Sequence, residues 1–173
     1  VAGFGHLQQL DAFDLDPDTD ARRMVQRAVA WLDRKVEEDH QRMLRDFKGD
    51  TIPMPSSEDV HYLYARSSFP QYPLERGKKS AAAFIIERVE RYWMQFGLQE
   101  QAMIAIALHR MADEQTPKLI TTSLAQRATM NDELGMYWKD FRIGYRWNEF
   151  PTELNALMIE AFEIVAHDRE KVN

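Results

Sequence analysis

The sequence predicts an all-α fold, a two-layer array of about seven helices with one short β-hairpin near 136–147. Three observations carry that expectation. Apolar residues recur at three- and four-residue steps over most of the chain, and helix-starting signals precede the periodic runs. Runs that are apolar on most faces, near 1–10, 57–68, 99–111 and 152–166, also take turns with runs that are apolar on one face only, near 17–47, 79–96 and 116–129. Shielded and half-exposed helices in alternation describe an inner layer covered by an outer one. An open solenoid of helix pairs and an arc of a closed α/α toroid both satisfy this pattern. The uneven spacing of the inner helices disfavours regular short repeats.

Taken in order, Val1 to Leu10 reads as a small-residue helix whose Gly3 and Gly5 permit close approach of another backbone. Asp16-Pro17 supplies an N-cap and a first-turn proline for a helix running to about Phe47, with Val25, Val29, Leu32, Val36, Met43 and Phe47 on one stripe. After the break around Pro53 and Pro55, Ser56 to Asp59 has capping-box spacing and opens a helix to about Ser68. A helix from about Lys79 to Phe96 follows, with Gly97 read as its C-terminal stop. Ala102 to Leu108, AMIAIAL, is apolar on every side and predicts an enclosed helix. Thr116-Pro117 caps the next, amphipathic one. Met136–Lys139 and Ile143–Trp147 are short β-prone runs about Asp140-Phe141-Arg142, and the last helix spans about Thr152 to Ala166.

Composition narrows the function classes. With 173 residues and 45% hydrophobic content, the chain is one domain, 1–173, able to bury a core without a metal or disulfide staple. A net charge of −6 disfavours nucleic acid phosphates and anionic lipid as partners. There are no cysteines, hence no disulfide, thiolate metal site or cysteine nucleophile in this stretch. No run approaches the roughly 18 apolar residues of a membrane span. The opening Val1-Ala2-Gly3 lacks Met and begins inside an apolar pattern, which suggests a piece of a larger protein.

The five histidines show no metal-ligand spacing, and His40, on the buried stripe, and His109 read as satisfied structural residues; no cofactor or metal is expected. Glu37-Glu38-Asp39 reads as a solvated outer face. Between 132 and 153, Asp132, Glu133, Glu149 and Glu153 flank Trp138, Tyr145 and Trp147. Paired carboxylates with sugar-stacking rings in a toroid cavity would make a glycan-acting enzyme. Asp132 and Glu133, however, fall at a helix end, and Glu153 in a first turn where the helix dipole accounts for it. A helical scaffold binding another protein through aromatics is a further alternative, with Tyr137, Trp138, Tyr145, Trp147 and Glu153 as its interaction surface.

Leu98–Leu108, Thr116–Leu124, the run MYWKD at Met136–Asp140 and PTELNALMIEAF at Pro151–Phe162 together resemble the thioester-type helical domain of the alpha-2-macroglobulin family, in particular its large Bacteroides-type bacterial members. The resemblance covers most of the chain, including GFGHLQQL. It implies an α/α toroid of which this is the middle arc, within a multidomain inhibitor that traps endopeptidases after bait cleavage. It also implies that the fragment performs no catalysis. The implied partners are target proteases and the other domains of the parent, with self-association through open toroid edges; the implied location is exported, periplasmic or cell-envelope, often as a lipoprotein. The family's Cys-x-Glu-Gln thioester motif is absent from this stretch and would lie upstream of Val1.

Overall fold

The computed structural model describes residues 1–9, 20–48, 54–74, 77, 80–133, 135–138 and 151–166. These are 76% helical, in seven α-helices and one two-stranded antiparallel sheet. Their contacts group into two units, Val1–Tyr92 and Trp93–Asn173.

In the first unit α1 (Ala2–Gln9), α2 (Asp20–Asp46) and α4 (Ala81–Tyr92) each contact α3 (Ser57–Ser67). The start of α3 follows from its sequence. Ser56 Oγ accepts the Asp59 N–H while the Asp59 carboxylate accepts the Ser56 N–H at 2.8 Å, a complete capping box. From Val60 to Phe69 every residue except the half-buried His61 is buried. The 27-residue α2, by contrast, buries only Val25, Val29 and His40, as a single stripe demands. Val25, Val29 and Phe69 form a core on which Phe4 and Tyr72 pack. Gly5 explains how α1 sits so close: a Cβ there would overlap the Ser68 side chain, whereas one at Gly3 would meet nothing within 4 Å. Only one of the two glycines singled out from the sequence therefore serves close approach.

In the second unit α5 (Leu98–Arg110) packs against α6 (Gln115–Gln126), α7 (Pro151–Ala161) and the π-helical turn Phe162–Ala166 that prolongs α7. Gln101 to Leu108 are all buried, the enclosure that an all-round apolar run requires. Gly97 departs from expectation. Its backbone is extended (φ −65°, ψ 167°) and it is the N-cap of α5, while α4 ends through the 3-10 turn Trp93–Gln95. Glycine is tolerated at an N-cap because no side chain is needed there. Helix α6 is likewise not capped at Thr116: its N-cap is Glu114, and the Gln115 N–H is taken by Asp113 Oδ1 at 2.9 Å.

The hairpin is displaced from its expected position. β2 (Gly135–Tyr137) pairs backwards with β1 (Thr129–Asn131), Asn131 facing Gly135. Asn131 Oδ1 accepts the Glu133 N–H at 2.9 Å and Gly135 takes φ 68°. A side-chain-built turn closed by a left-handed glycine is what a three-residue hairpin loop needs. Asp132 and Glu133 thus lie in this loop and not at a helix end. The run Ile143–Trp147, expected to be the second strand, lies outside the described residues, as does the Asp16-Pro17 cap.

Candidate functional site

Two places merit comparison: the stretch beginning at Tyr137, singled out by its sequence, and a cleft in the first unit. Trp138 follows β2 and is 3% exposed. Its indole N–H donates to the Leu124 carbonyl at 2.9 Å, and its ring lies 5.7 Å from that of Phe162. One end of the ring system ties off the last turn of α6 and the rest fills the space beside α7, so Trp138 is a core brace and offers no face to a partner. Tyr137 is half-buried, and Glu153 is exposed in the first turn of α7. Tyr145, Trp147 and Glu149 lie outside the described residues. Asp132 and Glu133 are exposed at the hairpin loop. No group of three or more His, Asp or Glu side chains among the described residues is arranged to hold a metal ion.

The cleft has a volume of about 420 Å³ and lies between α2, α4 and the segment that leads into α3. Helical spacing puts Val36, Asp39, His40 and Met43 on the same side of α2, while Met54 and Pro55 close it from the α3 side and Phe84 and Ile85 from α4. His40 is 8% exposed, its ring 4.6 Å from that of Phe84. Burial is as the apolar stripe requires, yet the imidazole nitrogens make no hydrogen bond among the described residues. Arg88 lies over the Phe84 ring, 5.2 Å from its centroid.

Behind this cleft the charges are organised by helix ends. Glu37 accepts the Ala81 N–H at 2.8 Å, and Ser80 Oγ accepts that of Ala83, so two side chains satisfy the start of α4. Burial pushes the Glu37 carboxyl up, but the Ala81 N–H, the Gln41 amide and the His40 charge together hold it below its ordinary range. Glu37 stays half-exposed on the outer face of α2, yet it also crosses to another helix, which the sequence pattern does not show. Its neighbour Asp39 is held low chiefly by the Lys35 ammonium, 2.8 Å away, with Arg42 also paired to it.

The most buried charge of the first unit is Arg66, which nothing in the sequence pattern singles out. At 2% exposure its Nε donates to both Asp33 oxygens at 2.9 and 3.1 Å, while Nη1 and Nη2 donate to the carbonyls of Phe69 and Tyr72. Tyr62 donates to the same Asp33 carboxylate at 3.0 Å; burial, and then the Asp33 charge, push its phenol well above the ordinary range. A phenol fixed as a donor and a guanidinium with its carboxylate and two turn carbonyls form a bracing network between α2, α3 and the turn after α3.

No family model, curated protein or solved structure matches the chain. No helix among the described residues is long and apolar enough to cross a membrane.

Proposed function

We propose that the chain is a structural arc of an α/α toroid in an alpha-2-macroglobulin-like protease inhibitor, shaping the body that encloses an endopeptidase after bait cleavage and performing no reaction itself. One observation carries the reading. Trp138 and Phe162, each from one of the runs that resemble that family, pack on each other with their rings 5.7 Å apart. Their shared likeness is thus explained by a common structural task, bracing the last helix. The enclosed α3 and α5 alternating with the one-sided α2, α4 and α6 fit a two-layer ring, whereas α1 and α7, expected to be enclosed as well, each keep an exposed face, with Leu7 and Ile159 at the surface. Target proteases, the parent's other domains and an exported location belong to this proposal through the resemblance alone.

The test is to treat the full-length parent with a broad-specificity protease and follow its native mobility. A shift on cleavage, with the protease retained in the shifted species, is expected. Cleavage without any change of size or mobility would refute the role. Turnover of a glycan by the 173-residue chain, lost on Glu153→Gln, would replace it with the enzymatic alternative.

A further inference from the structure

We infer that the cleft between α2, α4 and the segment before α3 receives an arginine side chain from a partner polypeptide. The inference does not depend on the inhibitor role. The first ground is charge. Asp39, Glu58 and Asp59 line the cleft, and no lysine or arginine among the described residues does. Asp39 gives Oδ1 to Lys35 and Arg42, and Asp59 gives Oδ2 to the backbone and hydroxyl of Ser56. The second oxygen of each accepts no hydrogen bond among the described residues.

The second ground is independent of the carboxylates. His40 is 8% exposed, lines the same cleft, and its ring nitrogens are without a hydrogen bond among the described residues. With no protein partner among the described residues and a place in the cleft wall, the imidazole is open to a hydrogen bond from an occupant of the cleft. The remaining walls, including Val36, Met43 and Met54, are apolar.

Acidic groups at separate points, an unused imidazole and a flexible thioether lining together select the occupant. A guanidinium presents five donors in a planar fork, and its three-methylene stem packs on apolar surface. An ammonium is a compact, strongly hydrated charge and serves separated acceptors less well. A volume of about 420 Å³ lies near the small end of ligand pockets, which suits one inserted side chain better than a large cofactor.

The experiment uses the whole chain with methyl-13C methionine and the probe N-acetyl-arginine methylamide, against its citrulline and lysine counterparts. Saturable shifts confined to the Met43 and Met54 methyls and the His40 ring are expected, with citrulline about tenfold weaker. Glu58→Gln and His40→Phe, the latter keeping a ring against Phe84, should each weaken the arginine response several-fold. Equal responses to arginine and citrulline, or shifts scattered without saturation, overturn the inference. An equal response to lysine overturns the choice of arginine and leaves a site for simple cations. If either variant fails to fold, the arginine-to-citrulline ratio on the unaltered chain still decides.

Discussion

The turn between α5 and α6 makes a prediction whose sign is not obvious. Helix α5 ends with the Ala112 N–H on the His109 carbonyl and the Asp113 N–H on the Leu108 carbonyl, each at 3.0 Å. This is the paired bonding of a Schellman motif, and the residue it needs in left-handed conformation is Ala112, at φ 69°. Glycine is the usual occupant because an L side chain there costs about 1–2 kcal/mol. Replacing Ala112 by Gly removes that strain but adds chain entropy to the unfolded state, worth about 0.4–1 kcal/mol the other way. The net expectation is a stabilisation of about 0.5–1 kcal/mol, because Ala112 is exposed and its methyl contributes little burial. In urea, with a slope of about 2 kcal/mol/M, the midpoint should rise by about 0.25–0.5 M at unchanged slope. Ala112→Val, β-branched at the same backbone, should lower it. A midpoint that falls in Ala112→Gly would show that the turn is not strained and that the argument from φ fails.

Four other outcomes follow from the packing. Leu108→Ala and Phe162→Ala should each cost about 2–5 kcal/mol in denaturant unfolding, since both side chains are buried and truncation leaves a cavity; a loss within error would mean that the enclosed helices are misassigned. Gly5→Ala should destabilise through overlap with Ser68, while Gly3→Ala, facing open space, should be neutral or raise the melting temperature; the same sign for both would contradict the close approach. Asp33→Ala should cost about 3–5 kcal/mol by leaving Arg66 buried without its carboxylate, and a near-neutral effect would mean that Arg66 relocates to water. For Glu37 the folded carboxyl titrates below its unfolded value of 4.5, so its contribution is complete above that value and is lost as pH falls through the folded one. Acidification should therefore weaken the native chain more than Glu37→Gln, and parallel stability curves would count against the Ala81 cap.

How much of this was legible depends on whether the determinant is local. The capping box at Ser56–Asp59 and the all-round burial of α5 are written in consecutive residues, and both were readable. The hairpin was misplaced because Met136, Tyr137 and Trp138 are equally β-prone whichever way they pair. The deciding signal was the turn, Asn131 accepting from Glu133 with Gly135 at positive φ, and not the strand composition. The Schellman turn at Ala112 carried no glycine to announce it, and the glycine that was present, Gly97, starts a helix. Of the candidate interaction residues, Trp138 proves to be core because its indole is satisfied by the Leu124 carbonyl, a contact set by how α6 and the hairpin meet. Arg66 and His40 fall in the same category: the carboxylate that holds Arg66 lies 33 residues earlier in the chain, and the ring against His40, Phe84, comes from another helix.

The long polar side chains buried near the ends of α3 and α5 share a pattern that sequence reading can use. Each enclosed helix carries a polar residue that looks misplaced in an apolar run, and each is committed to a turn. Arg66, in the last turn of α3, holds the carbonyls of Phe69 and Tyr72 beyond it. Gln101, in the first turns of α5, donates to the Phe96 carbonyl before it at 2.7 Å and accepts from Arg127 at the end of α6. Trp138 does the same for the Leu124 carbonyl of α6. A helix enclosed by its neighbours cannot let water satisfy the carbonyls at its ends, so a side chain must replace that water. An isolated polar residue near the end of an all-apolar helix is therefore first to be read as the donor for a neighbouring turn. His40 departs from this pattern, since it makes no hydrogen bond to any described turn, which is why its cleft calls for a partner from outside.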